Sequence, residues 1–143
     1  MNRIVAGVPN LSYSMVVVGS ADTLRLYSLW FPGSFFDVIS LTNLLGSLNL
    51  PVVNLSYALR RSFVVPFNET TSKFQQVFTK YPNTIFVIAA GDNGGNANDY
   101  TPGNLGTMSN VLTVGASDLT DTTRSGTTCF GKSIESPSGI PLV

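Results

Sequence analysis

Asp92 is the lone carboxylate in the stretch Ile-Phe-Val-Ile-Ala-Ala-Gly-Asp-Asn-Gly-Gly, residues 85–95, where Gly91, Gly94 and Gly95 surround it. Those glycines accept positive φ and expose main-chain N–H groups, a combination suited to cradling an anion or an oxyanion. The apolar run ahead of them predicts a buried strand, and ligands of open parallel sheets bind beyond the carboxyl ends of such strands. A second strand end, Asn54-Leu-Ser-Tyr-Ala, is predicted to reach the same sheet edge. Glycine turns also follow many ordinary buried strands, so this motif alone leaves a plain turn open.

The elements that must position these groups are legible from periodicity. Short runs rich in Val, Ile and Leu at residues 15–18, 24–30, 52–55, 85–90 and 111–114 predict strands. Residues 34–48 keep helical spacing after Pro32-Gly33, with Ser34 and Asp37 as a capping-box-like start, and the many leucines predict a nearly buried helix. Residues 69–81 place Phe74, Val77, Phe78 and Tyr81 at i, i+3, i+4 and i+7 beside Lys73, Gln75, Gln76 and Lys80, an amphipathic helix stopped by Pro82-Asn83. Strand, helix, strand, helix, strand is the βαβ pattern, so the expected fold class is α/β, a three-layer sandwich with a mainly parallel sheet. Residues 94–109 read as a long polar loop, and the tail after Gly115 as either a surface loop with a short hairpin or a piece whose partner is missing.

Composition narrows the function. With 43% apolar and 11% charged residues, the 143-residue chain is one globular domain, 1–143. Eight basic and eight acidic side chains balance, and no basic run exceeds Arg60-Arg61, which disfavours nucleic acid as a partner. One cysteine, Cys129, allows no internal disulfide, and with no histidine there is no Cys/His zinc site. No apolar run is long enough to span a bilayer, and residues 1–15 lack the h-region of a signal peptide, so localisation is left open. Three glycosylation sequons, at Asn10, Asn54 and Asn68, are read as incidental.

Four segments taken in order carry a family resemblance: Asn54-Leu-Ser-Tyr-Ala, Phe86-Val-Ile-Ala-Ala-Gly-Asp-Asn-Gly, Thr101-Pro-Gly and Asn110-Val-Leu-Thr-Val-Gly-Ala-Ser-Asp. In order and spacing they resemble the central region of subtilisin-like serine proteases (subtilases, peptidase family S8). The resemblance implies a partial subtilisin-like fold and makes Ser56, Tyr57 and Ala58 the strand that pairs with an extended peptide substrate. It makes Ala89, Ala90 and Gly91 a wall of the specificity pocket, Thr101 its rim, and Thr101-Pro102 a cis bond. Asp92 falls at the oxyanion-hole position, or Asn93 does if the alignment shifts by one residue. The family also implies peptide or protein substrates and, in many members, calcium, for which Asp92, Asn93, Asn96, Asn98 and Asp99 form an oxygen-rich loop. The residues themselves spell no known ligand loop, so the expectation is no cofactor and no metal.

The departures decide what chemistry is expected. The family's nucleophile segment finds no match, and Ser125-Gly-Thr-Thr follows the preceding strand too closely to replace it. The resemblance of Val5-Ala6-Gly7 to the family's histidine segment places the catalytic histidine at Met1 and the aspartate earlier still. A carboxylate at position 92 donates nothing unless protonated, and losing this donor costs about 10² to 10³ in turnover, a magnitude measured in a subtilisin itself. The expectation is therefore a fragment or degenerate member of the endopeptidase family, inactive as this chain. The alternatives are a non-catalytic peptide-binding or scaffold module and a nucleotide-binding α/β domain, the last lacking both the Gly-x-Gly-x-x-Gly register and a Walker lysine. Uncovered sheet edges predict self-association.

Overall fold

A computed structural model describes residues 15–19, 25–29, 35–117 and 123–131. Five strands, β1 (Met15–Gly19), β2 (Arg25–Leu29), β3 (Val52–Leu55), β5 (Ile85–Ala89) and β7 (Val111–Val114), form one sheet in the order β2-β1-β3-β5-β7. Pairs β3–β5 and β5–β7 are parallel, whereas β1 runs antiparallel to both β2 and β3. Four strands thus point one way and only β1 reverses, so the sheet is mainly parallel. Helices α1 (Phe35–Ser47) and α2 (Phe67–Lys80) supply the crossovers into β3 and β5. The strand and helix positions match the periodicity; the capping-box residue Ser34 lies outside the described residues.

Register explains where the core sits. Val53 pairs with Phe86, which pairs with Val111, and Leu55 pairs with Ile88, which pairs with Thr113. All six are buried, while the alternate residues Val52, Asn54, Val87, Leu112 and Val114 are half-buried and Ile85 is exposed. Because side chains alternate along a strand, one sheet face is dry. Leu45 of α1 and Phe74, Val77 and Phe78 of α2 cover that face. The rings of Phe74, Phe78 and Phe86 pack in sequence, the first pair stacked and the second tilted, with centroids 6.1 and 4.5 Å apart. Both helices pack on this one side and on each other, so the described residues make two layers.

Helix α1 is less buried than its leucines predict. Thr42, Leu45 and Gly46 face inward, but Leu44 and Leu48 are about half exposed. A helix lying on one sheet face hides only the stripe that touches it, whatever the composition of the rest. Helix α2 begins two residues earlier than its apolar spacing indicates, because Phe67 extends the buried stripe by a turn. Its end is fixed from outside: the Asn110 amide donates to the carbonyls of Phe78, Tyr81 and Thr84 at 3.0, 3.1 and 3.3 Å. The Phe78 and Tyr81 carbonyls also accept from the Tyr81 and Thr84 N–H groups at 3.2 Å, so the amide ties the helix end to the turn that follows it.

Candidate functional site

Strands β3 and β5 are parallel neighbours, so Ser56 and Ala89 emerge at the same sheet edge, as the two motifs predict. Past Ala58 the chain forms β4 (Leu59–Arg60), which pairs antiparallel with β6 (Tyr100–Thr101). This small sheet is not readable from the sequence, since two residues are too few to show a period. It draws the Thr101 segment against the substrate-strand candidate, giving the edge a second wall. Gly103 completes the wall by lying so close to β5 that a Cβ there would sit 2.8 Å from the Ala89 carbonyl oxygen, while Thr113 Oγ1 donates to the Gly103 carbonyl at 2.7 Å. The Thr101–Pro102 peptide bond is cis, as the resemblance implies.

The ladder says which backbone groups remain free. Leu59 and Thr101 lie opposite each other, and Arg61 N–H donates to the Asp99 carbonyl at 2.7 Å, so Arg60 and Tyr100 form the non-bonded pair between them. Ala58, the residue before β4, makes no backbone hydrogen bond among the described residues. The outer edge of β4 has no partner strand among the described residues. Tyr57 N–H is already bonded to the Leu55 carbonyl at 2.8 Å, and the Ser56 hydroxyl accepts from the Asn54 amide at 2.6 Å.

Side chains of the candidate residues divide sharply. Thr101 is fully buried, its hydroxyl accepting from Thr71 of α2 at 3.0 Å, so it contributes backbone and bulk to the wall. Tyr57 packs its ring against Phe74 at 6.2 Å, and its hydroxyl is buried without a hydrogen-bond partner. The neighbouring Thr42 hydroxyl gives little relief, because it is spent on the Val38 carbonyl at 2.7 Å; burial raises the Tyr57 phenol far above its usual range. Ala90 is buried, Ala89 and Gly91 are half-buried, and Asp92 and Asn93 are exposed. Burial, with help from the adjacent Cys129 thiol, also raises the Tyr100 phenol, opposed by Arg60.

The turn itself is laced down by a strap that composition and spacing gave no sign of. Cys129 N–H donates to the Gly91 carbonyl, Gly94 N–H to that of Thr127, Phe130 N–H to that of Gly95 and Ala97 N–H to that of Phe130, at 2.7 to 3.0 Å. Gly91 adopts φ 106° and Gly94 φ 70°, conformations that glycine takes without penalty. Cys129 Sγ donates to Asn93 Oδ1 at 3.0 Å, the same atom that accepts from Gly95 N–H at 3.0 Å. Asn96 Oδ1 accepts from Asn98 N–H in a second Asx turn.

Those bonds redistribute the oxygen-rich loop. Asn93 and Asn96 shape backbone, and Asp99 pairs with Arg61 at 3.4 Å. Among the described residues no three His, Cys, Asp or Glu side chains cluster. The Asp92 side chain is exposed. Ser125 is a turn residue, its hydroxyl 3.1 Å from that of Thr127. The glycine turn leads into a short 3₁₀ turn and β6 rather than a helix, so it lacks the helix N-terminus of a nucleotide site. Two shallow grooves of about 330 and 310 Å³ open elsewhere, along the α1–α2 seam and around residues 80–84 before β5.

Known structures place this arrangement. A cold-adapted subtilisin-like serine proteinase is 24% identical and superposes with a TM-score of 0.54 over 72% of this chain and 34% of its own. A lanthipeptide protease gives 17% identity and a TM-score of 0.58 over 72% and 33%. The epidermin leader peptide processing serine protease of Staphylococcus aureus gives 20% and 0.53 over 75% and 31%. The fold is subtilisin-like, in part. These 143 residues span about a third of the length of each of those proteases. No protein-family model and no curated protein sequence matches the chain. Among the described residues no helix is long and apolar enough to cross a membrane.

Proposed function

We propose that this chain is the peptide-binding centre of a subtilisin-like serine endopeptidase domain, and that these 143 residues alone do not hydrolyse peptides. One observation carries the reading. The ends of β3 and β5, with the β4–β6 wall beside them, meet at one edge and offer an unpaired backbone at Ala58, in a fold shared with proteases that include a leader-peptide processor. An extended peptide adds there as a strand, held by main-chain bonds and by the small walls Ala89, Ala90 and Gly91. The absence of any histidine supports the second half, since a serine nucleophile needs an adjacent base. No step in this reading passes through calcium or another cofactor.

A degenerate, purely peptide-binding relative is the second reading, favoured by the carboxylate of Asp92 at the oxyanion position. The two are separated by the coding sequence on either side. In-frame segments carrying the missing Asp, His-Gly-Thr and Gly-Thr-Ser groups, and hydrolysis of a fluorogenic protein substrate by the longer product, assign the protease. Both readings need the edge to bind: fluorescence titration of labelled extended peptides should show saturable binding by the purified chain, competed by unlabelled peptide. Absence of binding across a diverse peptide array removes both. We further propose that the open edges of the sheet make the isolated chain self-associate, and that nucleic acid is no partner.

A further inference from the structure

Asn93 and Gly94 are the chain's one Asn-Gly pair. In such a pair the glycine nitrogen, unhindered by a Cβ, can attack the asparagine side-chain amide and close a succinimide ring. Asn93 is exposed, so water reaches the amide. Every group that ring closure needs is nevertheless committed. Gly94 N–H, whose nitrogen is the nucleophile, donates to the Thr127 carbonyl at 2.7 Å. Asn93 Oδ1, on the carbon to be attacked, accepts from Cys129 Sγ and from Gly95 N–H, both at 3.0 Å. Two of these three bonds involve the strap at 127–130. The strap is tied down on either side of the pair, by Cys129 N–H to the Gly91 carbonyl and Phe130 N–H to the Gly95 carbonyl, each at 3.0 Å. Its burial is local: Cys129 packs with Ala90, Ala97 and Tyr100 in a cluster separate from the main core, so the strap can lift without unfolding the sheet.

We propose that Asn93 is a latent modification site, a succinimide-forming residue whose spontaneous conversion to aspartate and isoaspartate is gated by the docking of the 127–130 strap. The chemistry balances with water as the co-reactant. The Gly94 nitrogen bonds to Asn93 Cγ, the Cγ–Nδ2 bond breaks, and Nδ2 leaves as ammonia with the proton that Gly94 gives up. Water then opens the ring at either imide carbonyl. Opening at Cγ leaves an aspartate. Opening at the former backbone carbonyl leaves an isoaspartate, whose main chain runs through Cβ and Cγ and is one carbon longer. That extra carbon falls between Gly91 and Gly95, the two points at which the strap is tied, so the isoaspartate form cannot keep both bonds in their present register. The aspartate form keeps the chain length and adds a second carboxylate beside Asp92. The inference rests on the turn and the strap alone and stands whether or not the edge binds peptides.

The test follows deamidation of the purified chain in mildly alkaline buffer by peptide mapping and mass spectrometry, with aspartate and isoaspartate products resolved chromatographically, beside a synthetic peptide of residues 90–97. Asn93 should react at least about tenfold more slowly in the chain than in the peptide, since only the strap-open fraction is competent. Equal rates overturn the inference, and so does an Asn93 that fails to react in the peptide. The gate is read in the unaltered chain by adding urea below its unfolding transition. Deamidation and hydrogen exchange across residues 91–97 should then rise in parallel, because both need the bond from Gly94 to Thr127 broken. Deamidation that rises only with global unfolding, followed by circular dichroism, overturns the gating. Cys129→Ala, which removes one donor to Asn93 Oδ1, should speed the reaction about three- to tenfold, the worth of one hydrogen bond, and Cys129→Ser, which restores a donor, should speed it less. A folded Cys129→Ala chain reacting at the wild-type rate overturns the inference, and the urea series decides it where that variant does not fold.

Discussion

At the scale of single residues, the molecule separates groups that hold shape from groups left free to act. Gly91 holds shape: at φ 106°, and with Cys129 Sγ only 2.8 Å from where a Cβ would go, it excludes any side chain. Gly91→Ala should cost about 1–3 kcal/mol from backbone strain alone, measured by urea unfolding. Tyr57 holds shape at a cost, since its buried hydroxyl finds no partner. Tyr57→Phe should therefore be neutral or stabilising by up to about 1 kcal/mol at pH 7. The same substitution should alter the response to alkali. Burial raises the folded-state phenol pKa above its unfolded value, so its contribution is fully present below about pH 10 and is lost as pH rises beyond that. Chemical denaturation between pH 8 and 11 should show the wild type losing more stability than the Phe variant; parallel curves would argue against the buried phenol as cause.

At the scale of elements, the sheet and helices were legible because long runs carry strong periods. The 3.6-residue stripe of α2 and the apolar strands each survive a one-residue misreading. The β4–β6 pair and the 127–130 strap were not legible, because they are made of backbone hydrogen bonds that any sequence with the right neighbours could form. Asn110 illustrates the same gap: in the sequence it is a polar residue before a strand, and in the fold it closes the end of α2. Asn110→Ala should destabilise by about 1–3 kcal/mol, because the amide's hydrogen bonds to the Phe78, Tyr81 and Thr84 carbonyls are lost, and Asn110→Asp should do no better, since a carboxylate cannot donate. Phe74→Ala, at the centre of the α2 stripe, should cost about 3–5 kcal/mol by opening a cavity between helix and sheet. Thermal melts of both variants at one concentration check the ranking, Phe74→Ala the lower.

At the scale of the whole molecule, the described fold has one covered sheet face and a second that is half-buried, with β2 and β7 at the sheet's edges. An edge strand is a template for another chain. The isolated chain should therefore show a sedimentation coefficient that rises with concentration, and a single monomeric species across the micromolar range would count against uncovered edges. What the sequence by itself determined is the set of local choices: strands at residues 52–55, 85–90 and 111–114, an amphipathic helix between the first two, glycines where φ must be positive, and the ordered motifs that resemble a subtilisin-like protease. It also determined that no imidazole is available within these residues. Tertiary structure alone decided that the β4–β6 pair walls the shared edge, that Thr101 turns its hydroxyl into the core, and that Asn93 and Asn96 of the loop serve its backbone. The physical reason is that periodicity and turn chemistry act over a few residues, whereas pairing across 30 or 40 residues is fixed only when the core closes.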